Sequence, residues 1–314
     1  VRADADDGGT SSGALTMVNG TVINAGNATI ALLADENITL GQLTTTNTGT
    51  TAVTLTSTEG GIVDGNTGGA DVIAGGRLVI DAVTGVGNGA GIETTVASVD
   101  IDNATSGNIE ISETDAITVF KAVQGTAGNI DIAAGGTITV DNAGGNAITV
   151  LGTGTVTLDA NGGTSDILIN DGILSVNGAI TLTADNDVIF QADGDITSTA
   201  GAVAITADAD NGGATSGALT MVDGTVINAG NATIALLADE NITLGQVATT
   251  NTGTTAVTLT TREGGIVDGG DTGGADVIAG GRLVIDAVTG VGSGAAIETT
   301  VASVDIDNAT SGNI

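Results

Sequence analysis

The sequence predicts an all-β protein: a single parallel β-helix, or β-solenoid, with about three short strands per rung of roughly 25 residues. Three observations lead there. A long internal repeat covers most of the chain, apolar residues recur in β-type triplets, and the triplets return at rung-like intervals.

The repeat comes first. Residues 207–314 are a second copy of residues 3–109: GALTMV at 13–18 returns at 217–222, and NATIALLADENITLGQ at 27–42 returns at 231–246. The offset is 204 up to Gly65/Gly269 and 205 afterwards, because Asp271 is an extra residue in the second copy. Counted from Val1, about 13 positions differ, mostly small polar exchanges such as Asn19/Asp223 and Asn88/Ser293. The chain therefore divides into a partial superrepeat (1–109), its remainder (110–204) and the start of the next (205–314), all in one uncapped solenoid.

Within the repeat, apolar-x-apolar triplets rich in β-branched residues alternate with Gly, Asn, Asp and Thr. Ile130-Asp-Ile132, Ile138-Thr-Val140 and Ile148-Thr-Val150 are examples. Such alternation is the period of a strand with one buried face, and helical periodicity is hard to find. The clearest triplets begin at Val99, Ile130, Val156, Ile180, Val203, Ile234, Val257, Leu283 and Val304, at intervals suited to single rungs. Eight such units fill the 205-residue period, which corresponds to a rise of roughly 38 Å at about 4.8 Å per rung. The extra Asp271 lies in a turn between Val257 and Leu283, where an insertion leaves the strand phase intact. Val1 and Ile314 both lie in strand patterns, so further rungs are expected beyond each end, covalently or by head-to-tail stacking of identical chains.

Composition sets the limits on function. Of 314 residues, 52 are Gly, none is Pro, Cys, His, Trp or Tyr, and two are Phe. With 41% hydrophobic residues at regular positions, the chain can build a thin aliphatic core, which argues against disorder. A net charge of −32 argues against nucleic acid and anionic membranes as partners. No apolar run approaches the roughly 18 residues of a membrane span.

The run GAITLTADNDVIFQADGDITSTAGAVAITAD at 178–208 resembles the repeats of filamentous haemagglutinin-like adhesins, giant bacterial surface proteins. The resemblance implies a right-handed solenoid shaft, secretion to the cell surface, and a role in attachment, aggregation or cell-cell contact. Partners implied are neighbouring repeats and the surface glycans or proteins of other cells. Rungs here vary more in length than the family's short repeats.

Competing functions need side chains that are scarce. A β-helix that cuts acidic polysaccharide needs basic residues grouped in a groove. The five here, Arg2, Arg77, Lys121, Arg262 and Arg282, are scattered, and no His can act as general acid or base. The expectation is therefore a protein that is not an enzyme and binds no organic cofactor. Thr-x-Thr triplets such as Thr54-Leu-Thr56 would suit an ice-binding array only if the rungs were equal. GGADVIAGG at 273–281 shares the G-x-D-x-apolar core of calcium-binding nonapeptides through Gly274, Asp276 and Ile278, but occurs once per period.

One carboxylate pattern remains. Five residues after the anchors lie Asp185, Asp208 and Asp239; seven after them lie Asp187, Asp210 and Asn241. Asn161 precedes this ladder by one rung, and Arg262 follows it. At 4.8 Å, like charges repel by roughly 3.5 kcal/mol at an effective dielectric near 20. The ladder reads first as solvated turn residues capping backbone amides. Its second reading is a calcium site of Asp185, Asp187, Asp208, Asp210 and Asp239, in a calcium-dependent surface-layer or matrix module.

Overall fold

The computed structural model describes residues 1–3, 13–87, 89–142, 144–211, 217–270, 274–292 and 295–314. Among them are 33 strands joined in one sheet, and no helix. The chain winds as a parallel β-solenoid of about 12 turns with three strands per rung. Rungs differ in length, from the short one between Ile92 and Ile111 to the long one between Val203 and Ile234, and both turns and register shifts within strands, as between Val99 and Asp100, absorb the variation. No helix among the described residues is long and apolar enough to cross a membrane.

Side-chain alternation explains most of the strands. In Val156–Ala160, Val156, Leu158 and Ala160 are buried while Thr157 and Asp159 face outward; Ile180–Ala184 and Val203–Ala207 repeat the pattern. Stacked directly, Val156, Ile180 and Val203 form part of a continuous aliphatic column. Each such side chain removed from water contributes about 1.5–3 kcal/mol. Phe190, at the end of Val188–Phe190, is fully buried between Ile169 and Met221 of adjacent rungs. Phe120 is half-buried, with the Arg77 guanidinium 3.6 Å above its ring centre.

Seven of the eight expected anchor steps are direct neighbours, from Ile130 to Val304. The first is not. Val99 stacks between Leu78 and Val119, and Ile130 stacks on Ile109. The interval from Val99 to Ile130 crosses to another face. Its length did not reveal this, because the interval from Val203 to Ile234 is just as long and is a true rung.

The repeat and the rung are therefore out of step. Eight steps up the stack that starts at Leu32 lead to Ile227, yet the repeat of Leu32 is Leu236, on the next strand. One superrepeat therefore spans eight rungs plus one face. Leu15, Ile38 and Ile62 share a stack with Ile234, whereas their own copies Leu219, Ile242 and Ile266 occupy the neighbouring one. The same sequence folds alike on a different side of the rod.

One corner has a local code, Ser-x-x-Gly. Buried Ser57, Ser175 and Ser198 accept hydrogen bonds from the amides of Gly60, Gly178 and Gly201 at 3.0, 3.0 and 2.8 Å. Their hydroxyls donate to carbonyls one rung below, of Glu36, Gly154 and Gly178. Gly128, Gly154, Gly178 and Gly201 stack in a column in which any Cβ would collide with the carbonyl of the glycine beneath. Asp271, Asn88 and Ser293, noted above as differences between the copies, lie outside the described residues.

Candidate functional site

The acidic ladder follows five stacked strands, and backbone amides occupy much of it. Asp185 Oδ2 accepts the amides of Gly162 and Gly163 at 2.6 and 3.1 Å. Asp187 Oδ1 accepts the Ala218 amide at 2.8 Å. Burial raises the Asp187 pKa; the Ala218 bond lowers it, and Asp166 and Glu240 push it up again.

Asp208 breaks the register. Asp239 donates its amide to the Gly217 carbonyl, whereas on other rungs of the ladder the residue five past the anchor donates to an alanine carbonyl below, as Asp185 does to Ala160 and Arg262 to Ala238. At the Asp208 rung Ala209 makes that bond, to Ala184 at 3.0 Å, and Asp208 is displaced into a left-handed conformation with φ of 56°. Asp208 is buried, and its backbone carbonyl accepts Arg262 Nη1 at 2.8 Å. Asp239 is also buried, whereas Asp210 is exposed. No three of these five carboxylates bring ligand oxygens within 4.8 Å of one another.

A different trio does converge. Ligand oxygens of Asp64, Asp71 and Glu93 lie within 4.8 Å of one another, the one such group among the described residues. Asp64 ends the strand Ile62–Asp64, Asp71 precedes Val72–Ala82, and Glu93 lies on the next rung in Ile92–Asn103. Asp71 is fully buried and accepts from Asn66 Nδ2 at 2.8 Å and from the Glu93 amide at 3.1 Å. Asp64 accepts the Asn66 amide at 2.7 Å, while Glu93 Oε2 is buried without a hydrogen-bond partner.

Burial, then a hydrogen bond to the Glu93 carboxyl and the charges of Asp64 and Glu93, push Asp71 up to about 8, against the Glu93 amide bond. At neutral pH Asp71 thus holds a proton, supplying the donor that the Glu93 carboxyl otherwise lacks. Nearby, burial lifts Glu113 to about 7 against hydrogen bonds from Thr94 and the Val96 amide.

The sequence singled out Asp276, the second-copy equivalent of Asp71, for its nonapeptide-like setting; Gly273, which opens that motif, lies outside the described residues. Asp276 Oδ2 accepts the Glu298 amide at 2.8 Å, and Asp268 Oδ1 accepts the Gly270 amide at 2.7 Å. What sequence reasoning missed was the partnership. Glu93 lies a full turn of the solenoid beyond Asp71, and only rung stacking brings them together.

Three hard oxygen donors at this spacing can share a proton or hold a divalent cation. Asp64, Asp71 and Glu93 are absent from the lining of the hollows formed by the described residues at both the adjoining turn and the last rungs. The adjoining depression is about 140 Å³, bordered by Asn19, Thr21, Gln42, Asn66 and Gly69. A larger hollow of about 510 Å³ is the aliphatic interior of the last described rungs, lined by Leu283, Ile285, Val304 and Ile306.

Fold and side chains together define a parallel β-solenoid with a filled core. No family model matches the chain, nor does any curated protein or solved structure.

Proposed function

We propose that this solenoid is a shaft segment of a secreted bacterial fibre or surface adhesin. It acts as a rod for attachment, aggregation or cell-cell contact, and does not act as an enzyme. The observation carrying this reading is the unbroken stacking of aliphatic residues from Leu15 to Val304, which makes a stiff body from short, regular units. Neighbouring repeats are its first partners; glycans or proteins on other cells are the targets. Successive copies are turned by one face, so a tandem array offers each exposed loop to more than one side, as suits a fibre meeting partners from any direction.

Two measurements test this. Scattering or electron microscopy of the purified chain should give a rod about 58 Å long, from about 12 turns at roughly 4.8 Å each. Antibodies against the chain should label intact source cells; labelling only after permeabilisation would overturn the surface assignment.

The calcium-dependent surface-layer or matrix reading ranks second. It would draw on Asp64, Asp71 and Glu93, with the cation displacing the proton from Asp71. The proton already satisfies the cluster at neutral pH, so the cation gains access mainly in alkaline solution.

A further inference from the structure

We propose that Asn19 is a site of spontaneous deamidation, a reaction whose aspartate product gives the turn the sequence that the second copy already carries. Three Asn-Gly pairs are fully described: Asn19-Gly20, Asn161-Gly162 and Asn177-Gly178. In this chemistry the backbone nitrogen of the glycine attacks the asparagine Cγ. A C–N bond forms, the bond to the side-chain amide breaks, and ammonia leaves with the proton from the glycine amide. Water then adds to either carbonyl of the resulting succinimide, giving aspartate or isoaspartate.

The nucleophilic nitrogen decides which pair reacts. Gly162 N donates to Asp185 Oδ2 at 2.6 Å, and Gly178 N donates to the buried Ser175 hydroxyl at 3.0 Å. Both are tied down by the stacking. Gly20 N has no hydrogen-bond acceptor among the described residues. Asn19 and Gly20 are exposed, Gly20 has φ of 84°, and nothing lies within 4 Å of where its Cβ would stand. The backbone has room to bring nitrogen and side chain together.

The product also fits. The turn is closed by Thr21 N to Val18 O at 2.9 Å, and the second copy closes it likewise, Thr225 N to Val222 O at 3.1 Å, around Asp223-Gly224. Gly224 has nearly the same φ, 92°. Asn19 Nδ2 donates to the Thr67 hydroxyl at 2.8 Å; a carboxylate there would instead accept from that hydroxyl, which can serve in either sense.

The test is peptide mapping by mass spectrometry after incubation of the folded chain at pH 8 and 37 °C. Asn19 should gain the mass of deamidation at least about tenfold faster than Asn161 and Asn177, reflecting the hydrogen bonds those two must first break. In denaturant the three rates should converge, and Gly20→Ala should slow Asn19 alone. Equal rates in the folded chain, or faster reaction at Asn177, would overturn the proposal.

Discussion

Replacing Gly178 with alanine isolates one physical effect. Its φ is not left-handed, so alanine could adopt the backbone, and at a tolerant site the change would stabilise by about 0.4–1 kcal/mol. Here the new Cβ would fall inside van der Waals contact with the Gly154 carbonyl one rung below. Relieving that overlap forces the rungs apart, at about 1–3 kcal/mol for overpacking. The shift also loosens the bonds of Gly178 N to Ser175 and of Gly178 O to Ser198, each worth about 1 kcal/mol. The expected loss is about 3–5 kcal/mol. Gly91→Ala is the matched control: its nearest atoms lie 3.6 Å from the new Cβ, and the second copy has Ala296 there. Urea unfolding followed by circular dichroism should show a clear drop in midpoint for Gly178→Ala and none for Gly91→Ala. Indistinguishable midpoints would refute the idea that the glycine column exists for close approach of the rungs.

Other outcomes follow from the same geometry. Ser198→Ala should cost about 1–3 kcal/mol by the same assay, because it leaves the Gly201 amide and Gly178 carbonyl unpaired in a buried corner. Asp71 and Glu113 have folded pKa values raised to about 8 and about 7, so the folded state keeps protons that the unfolded chain releases above about pH 4. Stability should therefore fall as pH rises from about 4 to 8, and Asp71→Asn should flatten the upper part of that slope in thermal melts. Calcium at constant ionic strength should raise the melting temperature at pH 9 and little at pH 6 if the cation can replace the Asp71 proton, and Asp71→Asn should abolish the shift. No shift at either pH means that the cluster only shares a proton. Asp185→Ala should weaken the turn at Gly162 and Gly163 by about 1–2 kcal/mol, whatever the calcium concentration.

Local chemistry determined the strands. Alternation in Val156–Ala160 or Ile180–Ala184 has period two because consecutive Cβ atoms point to opposite faces, and that is written in neighbouring residues. The Ser-x-x-Gly corners and the aliphatic core are local in the same sense. Which face a triplet occupies is not local. Val99-Asp-Ile101 and Ile109-Glu-Ile111 look alike, yet the first stacks on Leu78 and the second on Val86. Nothing in either triplet records how many strands came before it, so only the closed winding fixed the face and made the superrepeat eight rungs plus one. The acidic groups divide the same way. Asp185, Asp208 and Asp239 could be aligned by counting, but counting could not show that Asp208 is displaced from the ladder and that Ala209 takes its place. Asp71 meets Glu93 because the rung between them happens to close over that interval, a length set by turns and pairing rather than by either residue.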